Sequence, residues 1–463
     1  MFFPIDRTSR ISLQNQLREQ IIASILKGNL PKGRKMPSTR KLAENLGISR
    51  TTVVLTYEKL VEGGFLAPHQ RSSYQVAWDA KVAKAPSAVI ASIDKVDWQR
   101  RLDTRLSAQR NIVKPQNWQE YKYPFVYGQP DSSLFPLGDW RECSRQAMSQ
   151  MDMRDWANDA FMQDDPQLVT EIRTKILPER GIFAGDDEIL ITLGAQNGLY
   201  LIAAALVKAG MRVGVEDPGY PDVRNIFDWH GAELVPLAVD SDGVVVDTPA
   251  LGTCSLIYVT PSHHYPTTVT LSNARRRQLL QMAADTDQLI IEDDFESETN
   301  YTQTPIPSLK SLDGEGRVIH VGSLSKSMFP GLRLGYVVAP RPLIQEMRLL
   351  RRLMFRHVPS NNQRTTSLFI ALGYHISYVR QLNKIYAERW RIMQEALGRH
   401  LPGMATAPQF GGTSFWIRGP ATLDADELAG RALLAGIVLE PGPVLFMNPA
   451  LREVQYRQCQ DST

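Results

Sequence analysis

The sequence has 463 residues, 43% of them hydrophobic and 8% aromatic, which is typical of a globular chain of about three domains and excludes a disordered or fibrous protein. Its three cysteines, Cys143, Cys254 and Cys459, have neither the number nor the spacing of a disulfide framework or a zinc site, so we expect no metal and a reducing, cytoplasmic setting. The first residues lack the apolar core of a signal peptide, and no apolar run approaches the ~20 residues of a membrane span.

Charge is divided unevenly along the chain. The first 80 residues contain 12 Lys and Arg against 6 Asp and Glu, a net charge of +6. Because the whole chain carries only +3, the remaining 383 residues carry −3. A small basic domain joined to a larger, slightly acidic one indicates a polyanion as the partner of the small domain.

Three helices are predicted in the basic segment, each with apolar residues on one face and a serine at its N-cap. The predicted helices and their capping serines are residues 12–27 with Ser12, Thr39–Leu46 with Ser38, and Arg50–Glu62 with Ser49. Gly47 separates the second helix from the third. Helix, glycine turn, serine cap and helix follow the order of a helix-turn-helix.

The third helix would then be the recognition helix. Ser49 would cap it, which leaves Arg50, Thr51 and Thr52 in its first turn, where base edges are usually met. Other basic residues are placed to contact phosphates and to make DNA affinity depend on salt. These phosphate candidates are Arg40, Arg50, Lys59 and Arg71.

Two short apolar segments, Phe65-Leu66 and 74–77, flank the polar loop 68–73, as the strands of a winged helix flank its wing. Arg71 at the tip of this loop suits a phosphate or minor-groove contact. The alternative is a small helical domain that binds protein. We therefore predict a winged helix-turn-helix domain over residues 1–78.

Residues 79–120 have weak apolar spacing and are predicted to be a linker. From residue 121 onward strands alternate with helices, which predicts a mostly parallel central sheet covered on both faces. Residues 121–463 are therefore predicted to be an α/β domain, with a smaller C-terminal lobe over about 345–463. The fold class is thus α/β, preceded by the winged helix.

Two stretches of the α/β region carry chemistry. The strand 289–294 ends in carboxylates that include Asp293, and about 30 residues later another strand ends in a turn that contains Lys326. A lysine amine forms a Schiff base with an aldehyde, and a protonated pyridine nitrogen needs a buried carboxylate opposite it. Taken alone, the carboxylate-rich stretch would be an acidic loop or a metal site. Taken alone, Lys326 would be a surface lysine in a polar turn. Together they indicate an aldehyde cofactor.

Hydroxyl and guanidinium groups near Lys326 suit a phosphate on that cofactor. Ser323 and Ser325 flank the lysine turn, and Arg333 follows seven residues after the lysine. The turn 194–198 runs from a strand into a helix, whose free N–H groups are a second possible phosphate cradle. Tyr220, held between two prolines, is either a ring that stacks on a flat cofactor or part of an ordinary turn.

These motifs resemble a known family. The first 80 residues are similar to the winged helix of GntR-type regulators, through Leu-Pro-x-Gly-x-x-x-Pro-Ser-x-Arg-x-Leu-Ala and Ser-Arg-x-Thr-Val-x-x-x-Tyr-x-x-Leu. Residues 121–457 resemble fold-type I aminotransferases, through Glu-Asp-Pro-Gly-Tyr-Pro, Thr-Pro-Ser-His and Ser-Lys-Ser-x-x-Pro-Gly-Leu-Arg-Leu-Gly-Tyr. The fusion resembles the MocR/GabR-like transcriptional regulators.

The resemblance implies that Lys326 is the Schiff-base lysine of pyridoxal 5′-phosphate and that Asp293 is the partner of its pyridinium. It implies that the phosphate is held by Arg333, Ser323, Ser325 and the amides of Ala195 and Gln196, with Tyr220 stacked on the ring. It places Tyr57 among the DNA-binding residues. It also implies a head-to-tail homodimer that binds promoter DNA and a small amine or amino-acid effector.

Three departures from the family pattern bear on function. Phe295 stands where the family usually has tyrosine, and Tyr265 stands where it commonly has phenylalanine; our hypothesis is that Tyr265 supplies the hydroxyl that Phe295 lacks. Thr268 replaces a usual glycine. The family's closing arginine, which would hold a ligand carboxylate, is matched only loosely by Arg457.

The leading functional hypothesis is a transcription factor that senses an amine, an amino acid or pyridoxal 5′-phosphate itself through aldimine exchange at Lys326. The second is a working aminotransferase with a DNA-binding accessory. A DNA-binding protein with an inactive, empty body is the third. Turnover of an amine with a keto acid would distinguish the second from the first.

Overall fold

A computed structural model describes residues 3–9, 11–69, 73–79, 96–102, 105–126, 130–301, 307–406, 411–420, 422–448 and 455–459, with the backbone alone for 99, 105, 406 and 455–459. The chain forms two compact units, Met1–Leu102 and Asp103–Thr463.

Within its described residues, the first unit combines three longer helices, a short fourth helix and a two-stranded hairpin. Its elements are α1 (Leu13–Leu26), α2 (Thr39–Leu46), α3 (Arg50–Glu62), β1 (Leu66–His69), β2 (Ser73–Val76) and α4 (Trp98–Arg101). Ser12, Ser38 and Ser49 each accept a hydrogen bond from a backbone N–H in the first turn of the helix that follows, so the predicted caps are observed. Gly47 ends α2 with a φ of 61°, a left-handed conformation that favours glycine.

The core of this unit is built from the apolar faces of all three helices. Leu17, Leu42, Val53 and Leu60 are each fully buried in one hydrophobic cluster. The hairpin closes the cluster, because β1 and β2 pair antiparallel and bury Leu66 and its cross-strand partner Val76.

The second unit is an α/β domain. Its helices are α5 (Arg105–Ala108), α6 (Leu137–Ala147), α7 (Gln150–Trp156), α8 (Pro166–Glu171), α9 (Ala195–Leu206), α10 (Pro221–Trp229), α11 (Pro249–Gly252), α12 (Asn273–Asp285), α13 (Leu309–Leu312), α14 (Arg341–Phe355), α15 (Ser360–Ala371), α16 (Tyr374–His400) and α17 (Ala425–Leu434). Its larger strands are β4 (Ile189–Thr192), β5 (Arg212–Asp217), β6 (Glu233–Asp240), β8 (Leu256–Val259), β9 (Leu289–Asp294), β10 (Val318–Ser323), β11 (Gly335–Val338), β13 (Ser414–Arg418) and β16 (Gln455–Cys459). Its two-residue strands are β3 (Tyr123–Pro124), β7 (Gly243–Val244), β12 (Ala405–Thr406), β14 (Ile437–Val438) and β15 (Glu440–Pro441).

The central sheet has the strand order β4-β11-β10-β9-β8-β5-β6-β7. Strands β10, β9, β8, β5 and β6 run parallel to one another, whereas β11 is antiparallel to both β10 and β4, and β7 is antiparallel to β6. Hydrophobic clusters cover both faces, as the successive β4 residues Leu190 and Ile191 show by packing into different clusters. The predicted mostly parallel α/β fold is therefore confirmed.

A smaller C-terminal sheet has the order β12-β13-β16-β15. Two local features interrupt the helices of this unit. Ser149 accepts a hydrogen bond from the N–H of Asp152 and starts α7 as a new helix directly after α6. Helix α8 continues as one π turn, Ile172–Ile176.

Candidate cofactor site

A cavity of about 220 Å³ opens at the carboxyl ends of the central strands, where parallel α/β sheets bind their ligands. The structure brings all ten residues that the sequence assigned to the cofactor into the lining of this cavity. They are Ala195, Gln196, Tyr220, Tyr265, Asp293, Phe295, Ser323, Ser325, Lys326 and Arg333. Leu199, Tyr258 and Pro330 complete the lining.

Lys326 lies in the connection between two antiparallel neighbours, β10 and β11. Tight packing fixes the start of this connection, since a Cβ on Gly322 would lie 2.1 Å from the ring of Tyr336 on the adjacent strand. The N–H of Ser325 donates to the hydroxyl of Ser323 at 3.2 Å. The Ser325 hydroxyl is itself buried, and none of the residues that the structure describes forms a hydrogen bond with it, which leaves it available to a bound polar group.

Asp293, the penultimate residue of β9, lines the same cavity as Lys326. Its Oδ2 accepts a hydrogen bond from Tyr258 at 2.8 Å, while its Oδ1 is buried and has no partner among the described residues. Burial raises the pKa of Asp293 to about 7, although the Tyr258 hydrogen bond acts to lower it. A cationic N–H in the cavity would satisfy Oδ1 and restore the charged form of the carboxylate.

The residues behind Asp293 hold the end of β9 in place. Burial alone would raise the pKa of Asp294, but the Arg180 guanidinium 2.7 Å away and the nearby His320 lower it. Glu292 accepts from the backbone N–H of Leu309 at 2.6 Å and faces His320 at 3.0 Å. The carboxylates on either side of Asp293 are thus paired, and Asp293 alone of the three faces the cavity.

The N-terminus of α9 forms the anion-binding end. Gly194 precedes it with a φ of 79°, and a Cβ there would lie 3.2 Å from the Arg333 guanidinium. Arg333 itself has a left-handed backbone (φ 53°) and donates from Nη2 to the Leu193 carbonyl at 3.0 Å. The first N–H groups of a helix beside a guanidinium are a favourable site for a phosphate.

Three aromatic rings form the side wall. Tyr265 is 3% exposed and meets Tyr220 edge-on at 5.4 Å between ring centroids and Phe295 at 6.3 Å. The hydroxyl of Tyr220 donates to Asp222 Oδ2 at 3.0 Å. The wall therefore presents flat apolar surface and phenol groups to a planar molecule in the cavity.

The exposed surface of the helix-turn-helix carries part of the predicted DNA-contact set. Arg40, Arg50, Thr51 and Lys59 are exposed, and Arg40 pairs with Glu44 at 3.0 Å. The Ser49 hydroxyl accepts from the N–H of Thr52 at 3.1 Å and lies 2.9 Å from the Thr52 hydroxyl. Arg71 lies outside the described residues.

One predicted DNA contact is wrong. Tyr57 is fully buried, and its hydroxyl donates to the Pro37 carbonyl at 3.0 Å. Its ring packs edge-on against Tyr74, with centroids 4.9 Å apart. Tyr57 is therefore a core residue that ties α3 to the segment before α2.

Both units match known families. Residues 132–449 match the family Aminotransferase class I and II, and residues 13–76 match the family of bacterial regulatory proteins of the gntR type. The chain is 42% identical over 452 residues to the HTH-type transcriptional regulator TauR of Rhodobacter capsulatus, covering 97% of this chain and 93% of that protein. It is 30% identical over 411 residues to the probable rhizopine catabolism regulatory protein MocR of Rhizobium meliloti, covering 87% and 80%. The chain is a MocR-type transcriptional regulator.

Among solved structures, this MocR-type regulator is similar to the kynurenine aminotransferase of Pyrococcus horikoshii. The TM-score is 0.72 at 24% identity, over 79% of this chain and 93% of that one. At this identity the likeness shows the fold of the larger unit. Among the described residues, no helix combines the length and apolarity that crossing a membrane demands.

Sequence reasoning missed Tyr258, which lies within the buried strand β8 and bonds to Asp293. A hydroxyl in an otherwise apolar buried strand was the available signal, because a buried phenol needs a partner. Thr268 has a φ of 65°, which accounts for the glycine usual there in this family. Arg457 lies in β16, where its backbone pairs with Trp416; its side chain is outside the described residues.

Proposed function

We propose that this MocR-type regulator binds pyridoxal 5′-phosphate at Lys326 and senses a small primary amine or amino acid through covalent exchange there. One observation carries the proposal: Lys326, Asp293 and an anion cradle line one cavity of about 220 Å³. Two buried groups of that cavity that lack a partner within the described part of the chain, Asp293 Oδ1 and the Ser325 hydroxyl, match the polar groups of this cofactor.

Each group would have a distinct role. The cofactor supplies an aldehyde that condenses reversibly with primary amines. Asp293 would hold a proton on the ring nitrogen, and Tyr258 keeps the Asp293 carboxylate oriented. Arg333, Ser325 and the first N–H groups of α9 would hold the phosphate.

The remaining surfaces of the cavity would select the effector. Tyr220 and Phe295 would contact the cofactor ring, and Tyr265 would supply the phenol that Phe295 lacks. Arg457 is our candidate for a carboxylate on the effector. Its backbone partner Trp416 packs in the same cluster as Tyr265, which supports this assignment.

The winged helix would bind promoter DNA in the cytoplasm, with Arg50, Thr51 and Thr52 at base edges. Arg40, Lys59 and Arg71 would contact phosphates. We also propose the head-to-tail homodimer of the family. Exposed apolar residues on α14, such as Leu353 at 84% exposure, support a partner surface.

The second candidate is an active aminotransferase that carries a DNA-binding domain. The larger unit favours it through its likeness to an archaeal alanine:glyoxylate aminotransferase, with a TM-score of 0.71 at 26% identity. The two candidates differ in whether an amine with a keto acid turns over repeatedly or stops after one exchange.

The test uses purified protein and two variants, each of which should lose one property and keep the other. Lys326→Ala should lose the visible absorption that the cofactor acquires on a lysine and should keep affinity for a DNA fragment that the wild type selects from a random pool. Arg50→Ala should keep the absorption and lose at least about tenfold in DNA affinity. Lys208→Ala, at an exposed lysine of the same unit as Lys326, should change neither property.

Three results would contradict the proposal. They are wild-type protein with no cofactor absorption, Lys326→Ala with the absorption intact, and repeated turnover without any effect of amines on DNA affinity. The last result would favour the aminotransferase.

A further inference from the structure

The segment that leads back toward the DNA-binding unit lies against the wall of the cavity. We call residues 109–113 the strap; it begins seven residues after Leu102, where the first unit ends. Ile112 of the strap packs in the hydrophobic cluster that contains Tyr265, Tyr220 and Phe446. Two of these residues line the cavity, so the strap and the cavity share one wall.

Polar contacts fix both sides of the strap. Arg110 donates from Nη2 to the carbonyl of Phe446 at 2.8 Å and to that of Met447 at 3.2 Å. Asn225 of α10 donates to the Arg110 carbonyl at 3.3 Å. Gln109 donates to the Asn225 carbonyl at 3.4 Å. The strap is thus attached to α10 and to residues 446–447 within the same unit.

Asp222 joins these contacts to the cavity. Its Oδ2 accepts from the Tyr220 hydroxyl at 3.0 Å and from Gln196 Nε2 at 3.2 Å, and both donors belong to cavity-lining residues. With the amide nitrogen of Asn111 turned toward Asp222, Oδ1 of Asp222 accepts from the strap at 2.9 Å. In the opposite orientation, the amide oxygen of Asn111 accepts from Asn225 Nδ2 at 2.8 Å. A carboxylate only accepts, which favours the first orientation of the Asn111 amide.

We propose that Asp222 is a positioning residue that couples occupancy of the cavity to the strap, and through the strap to the DNA-binding unit. This inference rests on the proposed function, because it needs an effector that exchanges in the cavity. An effector that takes the hydroxyl of Tyr220 or the amide of Gln196 removes a donor from Asp222. The carboxylate then turns, and its bond to Asn111 changes with it.

The attachment of the strap suits such a change. Arg224 donates to the carbonyls of Leu445 at 2.9 Å and Val444 at 2.6 Å, directly beside the carbonyls that Arg110 holds. Burial, and then the nearby charge of Arg110, lower the pKa of Arg224 to about 10. Two guanidiniums on adjacent carbonyls repel each other, which weakens the hold of Arg110 on residues 446–447.

The test compares two strap variants and a control in the full-length, cofactor-loaded protein. Asn111→Ala and Ile112→Ala each remove one strap contact, and neither residue is among those that line the cavity. Val113→Ala is the matched control, since Val113 is 87% exposed on the same segment. Affinity for the selected DNA fragment is measured with and without glycine, β-alanine, 5-aminopentanoate and ethanolamine, and the cofactor Kd is measured in parallel.

The expected wild-type result is a change in DNA affinity of about fivefold or more with at least one amine, a typical size for allosteric coupling. In Asn111→Ala and Ile112→Ala, the DNA affinities measured with and without the amine should differ by less than about twofold. The cofactor Kd and the amine-induced spectral change should stay at wild-type values. Asp222→Asn should lose the coupling and also weaken cofactor binding, because it disturbs Tyr220 and Gln196.

The outcomes separate the two claims. If the wild type shows neither cofactor absorption nor any amine effect on DNA, the proposed function fails, and this inference fails with it. If the wild type responds and both strap variants respond equally, the proposed function stands and the role of Asp222 and the strap is refuted. A loss of coupling in Val113→Ala would also refute it.

Discussion

Replacing Asp293 with asparagine should make the cofactor-free protein more stable at high pH. Asp293 is 4% exposed, and burial raises its pKa to about 7, against about 3.9 in an unfolded chain. At pH values between these two pKa values, Asp293 keeps its proton in the folded state and has lost it in the unfolded state. The free energy of unfolding therefore falls as pH rises through this range.

The size of the effect follows from the two pKa values. A pKa difference of about three corresponds to about 4 kcal/mol of unfolding free energy, which is fully present below pH 4 and is lost as pH rises through 7. Asparagine stays neutral, and its amide oxygen still accepts from Tyr258. Asp293→Asn should therefore exceed the wild type in stability at pH 8 by up to about 4 kcal/mol, with a much smaller gap at pH 5.

The assay is the melting temperature of cofactor-free wild type and Asp293→Asn at pH 5, 6, 7 and 8. A gap that widens with pH, to roughly 5 °C, is expected, together with much weaker cofactor binding by the variant. Asp294→Asn is the control, because it removes the partner of buried Arg180 and should destabilise at every pH. A gap between Asp293→Asn and wild type that stays constant or narrows as pH rises would refute the reasoning.

Three further predictions use single substitutions. Tyr265→Phe should shift the cofactor absorption and weaken cofactor binding about 2–10-fold, the equivalent of one hydrogen bond. An unchanged spectrum and affinity would exclude the hypothesis that Tyr265 supplies the hydroxyl that Phe295 lacks. Tyr57→Phe should lower stability by about 1 kcal/mol through loss of the bond to Pro37, and DNA affinity measured well below melting should not change. Lys59→Ala should reduce the slope of log affinity against log salt by about 0.9, and a wild-type slope would exclude a phosphate contact.

Local chemistry made the helix-turn-helix predictable. A serine side chain can satisfy only nearby backbone N–H groups, so the caps at Ser12, Ser38 and Ser49 follow from sequence alone. Helical periodicity also indicates that Tyr57 is a core residue, because residues 53, 57 and 60 fall on one helical face. Counting Tyr57 among the DNA contacts overlooked this periodicity.

The cavity was predictable in part. Lys326 and Asp293 stand at the ends of strands that are adjacent in the sheet, and a β-α-β sequence pattern places such ends together. The bond between Tyr258 and Asp293 depends on how far two neighbouring side chains reach across the sheet, which strand periodicity does not specify. The contact of Asn111 with Asp222 joins residues 111 positions apart through a segment that had no regular pattern.

The hairpin connection between β10 and β11 sets the distance between two groups that a molecule in the cavity would meet. Lys326 and Arg333 both lie in this connection, and close packing at Gly322 of β10 and Gly335 of β11 fixes its two ends. The spacing between amine and guanidinium is therefore a property of one short length of backbone. A cofactor analogue with one extra carbon between its aldehyde and its phosphate would have to distort its contacts with Lys326 and Arg333 at once.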